Sequence, residues 1–361
     1  MESKKGDRRQ DELVEDRKQE IMRILPGEIR QKVQSLSIDW EGLQEIRLRV
    51  GKPVILRYRQ KEYFLARRGG MVHEARQAVC VGREQLKESM EYMSNYSRYA
   101  YEQEIKQGFL TIRGGHRVGL AGRIIQDQQH IKGMQYISCL NIRLAHEVIG
   151  CADCIFPYLQ GGDSIHNTLI LSPPCGGKTT LLRDIIRILS SGITEGVRGE
   201  HFEGVTVGVV DERSEIGSCY HGVPQNDLGC RTDILDGCPK VEGMILLVRS
   251  MAPQVIAVDE IGSMEDVDAM EYAANSGVKL LATVHGASMD EIKRKPGIER
   301  LIKHRFFERY VLLGDGIGNV KAIFDDNVTT GRRRGRDVKV DRLYISYDRM
   351  CRRRNGDGCG A

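Results

Sequence analysis

Nowhere in this chain of 361 residues does an apolar run approach the ~20 residues that a membrane-spanning helix needs. Met1–Glu20 is polar and charged, without the apolar centre of a secretory signal. A soluble, cytoplasmic chain is therefore expected. A strong net charge is also missing. The 54 Lys and Arg face 50 Asp and Glu, +4 overall, so the protein as a whole is no magnet for polyanions. Ten cysteines without a secretory signal read as reduced thiols rather than a disulfide framework. Cys151 and Cys154 form a C-x-x-C with no second pair nearby, and Cys230 and Cys238 are too far apart for a zinc knuckle. Small buried apolar roles suit them better than metal or redox chemistry. No internal repeat is visible.

What the chain does contain is a phosphate-binding loop. Ser172-Pro173-Pro174-Cys175-Gly176-Gly177-Lys178-Thr179-Thr180 follows the apolar run Thr168–Leu171 and opens a helical segment over 181–188. Strand, Gly-rich turn and helix in that order let backbone N–H groups wrap a β-phosphate at a helix N-terminus. Lys178 is placed to reach the β- and γ-phosphates, and the Thr179 hydroxyl to join a Mg²⁺ shell. Ser172 stands where such loops usually begin with glycine. Cys175, inside the loop, is a thiol whose alkylation should block nucleotide.

The organisation reads as two domains between charged ends. Residues 1–20 read as a flexible lead-in. An N-terminal α+β domain is expected over 21–150: helical spacing around Pro26, a hairpin across Gly51-Lys52-Pro53, a helix over 83–95, then a meander over 109–144. Residues 151–164 read as a linker with a short helix. From 165 to 330 apolar strands alternate with helices, the pattern of a mainly parallel sheet covered on both faces. Those strands are 168–171, 205–210, 255–258 and 279–283, with a terminal hairpin over 310–324. In the tail 331–361, the stretch 331–354 holds ten Lys and Arg against three Asp, a local +7.

Asp259 and Glu260 end the apolar strand 255–258, at the sheet edge where open α/β folds bind ligands. Asp259 is expected to hold Mg²⁺, and Glu260 to polarise the attacking water. The strand at 205–210 leaves room for an extra strand between this pair and the phosphate loop. Asp211-Glu212-Arg213-Ser214-Glu215 and Thr283-Val284-His285 end two more strands on the same edge. Glu212 is thus a rival base, and His285 a candidate sensor of the γ-phosphate. Arg183, Arg187 and Arg213 are candidates for an arginine acting within the same subunit.

At these residues the chain resembles the secretion-type ATPases of type II/IV secretion and type IV pili. More closely it is similar to the stage III sporulation protein AA family of endospore formers. The resemblance rests on 45–53, 115–123, 141–145, 172–184, 211–216 and 258–261, and spans roughly 20–325. It implies fold class α/β, with an N-terminal α+β domain before a RecA-like P-loop ATPase domain. It also implies a homo-hexamer, ATP and Mg²⁺ as ligands, and membrane proteins of the mother cell–forespore channel as partners at the mother-cell membrane. Arg117, Arg123 and Arg143, in strand-like segments, are candidates to reach a neighbouring subunit's phosphates. The basic tail suits an anionic membrane surface. A nucleic-acid-associated ATPase is a rival reading, weakened because Tyr344 and Tyr347 are the tail's few aromatics. A nucleotide-gated scaffold with little turnover is another.

Overall fold

The computed structural model describes residues 15–93, 104–105, 108–127, 130–162, 164–174, 176–193, 201–314 and 319–325. Cys175 and the basic tail lie outside them. The structure forms two compact units: Met1–His146 with Ser218–Gln225, and Glu147–Gly217 with Asn226–Ala361.

The first unit is built on a seven-stranded antiparallel sheet. Its strands are β1 (Leu43–Arg49), β2 (Ile55–Tyr58), β3 (Lys61–Leu65), β4 (Met71–Val72), β5 (Phe109–Thr111), β6 (Arg117–Asp127) and β7 (His130–Arg143), in the order β4-β3-β2-β1-β7-β6-β5. The expected hairpin and the expected meander are thus one sheet, joined where β1 pairs with β7 (Ile46↔Ile142). Alternation puts Ile46, Leu48, Val118, Leu140 and Ile142 into the core. Helical residues 15–24, Gly27–Gln34 and Arg83–Met93 contribute Ile21, Leu25, Ile29, Val33 and Leu86 to it. Residues 15–20, read above as lead-in, are therefore helical. Their charges pair at i,i+3, Glu15 with Lys18 at 3.0 Å and Glu20 with Arg23 at 2.7 Å, while Ile21 and Ile24 are buried.

Ser218–Gln225 belongs to this unit although the chain on either side of it belongs to the other. The Gln225 side-chain carbonyl accepts from the Gly114 amide at 2.9 Å.

His116 pins the unit from inside. Its Nδ1 accepts from the Ala145 amide at 3.0 Å, so Nε2 carries the proton donated to the Arg17 carbonyl, also at 3.0 Å. Burial, with the charges of Arg17 and His146, holds the imidazole down at about 4 against the opposing pull of that carbonyl. Its neutral form is the folded form. Stability from this group is complete above pH 6.5 and declines as pH falls toward 4, by about 2 kcal/mol at pH 5. His116→Gln should make the fall in urea midpoint between pH 6.5 and 4.5 shallower by about one proton. An unchanged slope would contradict the buried neutral imidazole.

The second unit carries the second seven-stranded sheet. It comprises β10 (Thr168–Ser172), β11 (Val207–Asp211), β12 (Thr232–Asp236), β13 (Val255–Val258), β14 (Lys279–His285), β15 (Arg309–Leu313) and β16 (Val320–Asp325). A small antiparallel pair, β8 (Gln160–Gly161) and β9 (Ser164–Ile165), precedes it. The order is β12-β11-β13-β14-β10-β15-β16, all neighbours parallel except the terminal hairpin β15–β16. Every residue of β10, β11 and β13 is buried. Alternate residues enter two separate cores: Ile170, Val209 and Ala257 pack with the helix Lys178–Ser191, and Leu171, Val210 and Val258 with Met244, Val267 and Leu301. This is the expected RecA-like α/β fold.

Two expectations change. The strand between the phosphate-loop strand and the Asp259-Glu260 strand is β14, not the strand near 205–210, which lies on the far side of β13. Strand–helix alternation establishes parallel strands without saying which lie side by side. The stretch 151–164 is no free linker, because Ala152, Ile155, Phe156 and Leu159 are buried in the core beneath the loop helix. Its helix is the single turn Phe156–Leu159.

Candidate nucleotide site

The loop is shaped by Ser172. Its buried hydroxyl donates to the Pro173 carbonyl at 2.7 Å, and the Gly176 amide donates to the same carbonyl at 3.2 Å. A Cβ on Gly176 would collide with the Ser172 hydroxyl, so serine at the loop's first position favours glycine at its fifth. Gly177 then turns the chain through φ +86° into the helix Lys178–Ser191, whose first turn carries no acidic residue. A bare helix N-terminus behind a Gly-rich turn is an anion-binding geometry. Gly176→Ala should therefore abolish nucleotide retention, and Ser172→Gly in the same chain should restore part of it, because the nearest remaining neighbour of that Cβ is the Pro173 carbonyl at 3.1 Å. Equilibrium binding of a fluorescent ATP analogue reads both variants. A tight-binding Gly176→Ala protein would contradict the packing argument.

The carboxyl ends of β10, β11, β13 and β14 bring the sequence motifs together. Lys178, 8% exposed, donates to Glu260 Oε1 at 2.8 Å, with Asp259 Oδ1 at 3.6 Å. The Thr179 hydroxyl donates to Asp259 Oδ2 at 2.8 Å. Thr283 donates its hydroxyl proton to Asp259 Oδ1 and accepts the Glu260 amide at 2.9 Å. Glu260 itself lies in the left-handed region at φ +53°. For a non-glycine residue that costs on the order of 1–3 kcal/mol, held by its surroundings. His285 Nε2 contacts Glu260 Oε1, and Arg213 donates to Glu260 Oε2 at 2.8 Å. Burial alone would raise the Glu260 carboxyl. Lys178, His285 and Arg213 outweigh it and hold the group down at about 2.

Glu212 stands apart from this cluster. It is half-exposed and pairs with Lys240 at 3.2 Å. The Glu215 carbonyl accepts from Arg183 at 2.8 Å. Asp211 is buried and accepts the amides of Glu215, Ile216 and Gly217 at 2.8–2.9 Å. Burial, aided by Asp236, pushes its carboxyl up to about 6 against those amides. Asp211 therefore shapes the acidic loop. A cleft lined by Asp211, Glu212, Arg213, Glu215, Lys240, Asp259 and Glu260 opens here.

The arginines separate by location. Arg183 is tied to the Glu215 and Ile216 carbonyls, and Arg187 to Asp184 at 2.8 Å. Of the three same-subunit candidates, Arg213 contacts Glu260. Arg117, Arg123 and Arg143 belong to the first unit. Strand register places Arg57, Glu45, Arg143 and Arg117 opposite one another across four adjacent strands. Arg143 Nε lies 3.8 Å from Glu45, and the Arg117 guanidinium sits 3.6 Å over the Phe109 ring. Cys151 is buried, and burial with Asp184 nearby pushes its thiol up, which suits an inert structural role.

Two site residues escaped the sequence reading. Thr283 was seen only as part of a strand-end cluster, and Lys240 not at all. The turn Gly237-Cys238-Pro239 before an apolar helix was the available signal for Lys240, but nothing local connects that helix with Glu260.

The family described as Sporulation stage III, protein AA matches residues 15–330. The chain belongs to the stage III sporulation protein AA family. It is 40% identical over 309 residues to Stage III sporulation protein AA of Bacillus subtilis (strain 168), covering 85% of this chain and 94% of that protein. Protein SEEDLING PLASTID DEVELOPMENT 1 of Arabidopsis thaliana is 34% identical over 165 residues, 45% of this chain and 22% of that one. Among solved structures, the pilus retraction motor PilT with bound ADP aligns at 14% identity with a TM-score of 0.48, covering 79% of this chain and 76% of that chain. The Legionella pneumophila ATPase DotB aligns at 14% identity with a TM-score of 0.47, covering 79% and 74%. Among the described residues no helix is long and apolar enough to cross a membrane.

Proposed function

We propose that the second unit binds ATP with Mg²⁺ and hydrolyses it to ADP and phosphate. Turnover would energise assembly of, or transport through, the channel joining mother cell and forespore. The observation that carries this reading is the meeting of Lys178, Thr179, Asp259 and Glu260 at one sheet edge beside a helix N-terminus. The hard oxygens of Thr179 and Asp259 suit Mg²⁺, which fills the rest of its shell from phosphates and water. These two residues would hold the ion, which when bound neutralises charge on the phosphates.

The chain's own residues do the rest. Lys178 exchanges its bond to Glu260 for the β- and γ-phosphates, which releases the carboxylate. Glu260 then orients a water and accepts its proton as the water oxygen attacks the γ-phosphorus and the bond to the β-phosphate oxygen breaks. His285, already on Glu260, would report the γ-phosphate. Glu212, held by Lys240, is the second base candidate.

The active form in this reading is a homo-hexamer at the mother-cell face of the membrane, attached to channel proteins and, through the tail 331–361, to anionic lipid. Arg117, Arg143 and Arg123 of one subunit would stabilise charge on the phosphates of the next. Specific activity is then expected to fall on dilution below the assembly constant. Mixing Lys178→Ala with Arg117→Ala or Arg143→Ala subunits should restore part of the turnover. A demonstrated monomer whose phosphate release per subunit is constant across a wide dilution series would defeat the shared-site reading. Absent phosphate release at any concentration would defeat hydrolysis itself.

A further inference from the structure

Glu260 has an unusual backbone for a carboxylate that must hold a fixed aim. It sits at φ +53° just past the end of β13, so its own peptide groups need partners from other elements. The amide finds Thr283 Oγ1 at 2.9 Å, and the carbonyl accepts from Lys240 Nζ at 2.9 Å. Both main-chain polar groups of this residue are thus held by side chains.

Lys240 is oddly placed for a merely structural lysine. It is the first residue of the helix Lys240–Ser250, where a cation opposes the helix dipole. Its side chain is only 16% exposed, yet it lines the cleft beside Asp259 and Glu260. Besides the Glu260 carbonyl, the same ammonium pairs with the Glu212 carboxylate at 3.2 Å. One compact, three-donor cation therefore serves both residues competing for the role of base, but unequally. It takes the backbone of Glu260, leaving that carboxylate to Lys178, Arg213 and His285, and it occupies the carboxylate of Glu212.

We propose that Lys240 is a positioning residue that selects Glu260 as the base, by bracing the turn that aims its carboxylate at the phosphate loop while engaging the Glu212 carboxylate. This rests on the hydrolysis reading above and adds to it the device that distinguishes the two acids. Lys240 acts through Glu260 and touches no reacting atom.

The test uses full-length K240M and K240R proteins, alone and with E212Q. K240M should lower kcat by about 10–100-fold, the usual range for losing an outer-shell orienting partner. Affinity for ATP, read by equilibrium binding, should stay within about threefold, because no phosphate ligand has been removed. K240R should recover part of kcat. The K240M loss should keep its size in the E212Q background, since it runs through Glu260. A K240M protein with wild-type kcat overturns the inference. So does parallel loss of kcat, ATP affinity and melting temperature, which marks a general packing role, or disappearance of the K240M effect when E212Q is present. Wild-type turnover with unchanged K240M removes this inference alone, whereas an inactive wild-type protein removes the hydrolysis reading and this inference together.

Discussion

Glu260→Gln is expected to keep nucleotide binding and to lose about 10²–10⁴-fold in turnover, the range for removing a positioned general base. The amide has the shape of the carboxylate but accepts no proton from the attacking water. In the structure the carboxylate also restrains Lys178 at 2.8 Å. Its replacement frees that ammonium for phosphate, so ATP should bind at least as tightly as to the wild type. Single-turnover phosphate release together with analogue binding measures both halves. Near-wild-type turnover would move the base to Glu212, and Glu212→Gln would then be the inactive variant.

Lys178→Ala is expected to remove measurable nucleotide binding at millimolar ATP, a loss of at least ~10²-fold. Lys178 is the buried cation at the head of the loop helix, within reach of both Asp259 and Glu260. Without it two carboxylates remain adjacent where a polyphosphate must enter. Glu260 keeps Arg213 and His285, so the fold should survive with a modest fall in melting temperature. Retained analogue affinity in a folded Lys178→Ala protein would show that the loop amides alone suffice. Lost affinity accompanied by unfolding would leave Lys178→Met, which keeps the aliphatic stem, as the deciding variant.

The strand edge that gathers these groups was legible because each motif is local. An apolar run followed by Ser172–Thr180 has to leave a buried strand through a tight turn into a helix. Apolar 255–258 ending in Asp259-Glu260 has to put both acids at a strand end. The acidic stretch 211–215 and Thr283–His285 were legible for the same reason. Alternating strands and helices in one half, and alternating apolar residues in the other, conveyed the two sheet types.

Other features depended on neighbours distant in sequence. That β14 lies between the strand before the Gly-rich turn and the strand ending in Asp259-Glu260 is a matter of which strands pair, and strand period says nothing of it. β1 pairs with β7 because the two buried faces, Ile46 and Leu48 with Ile142 and Leu140, complete one core. Ser218–Gln225 belongs to the first unit, where Gln225 accepts from the Gly114 amide across a sequence separation of 111 residues. The sequence by itself therefore determined which residues stand at the Gly-rich turn and at the strand ends, since turn chemistry and strand ends act within a few residues. Only the tertiary structure decided which of them meet. Lys240 reaching the Glu260 carbonyl and the Glu212 carboxylate, and Arg213 closing on Glu260, are contacts between elements that the strand order brings side by side.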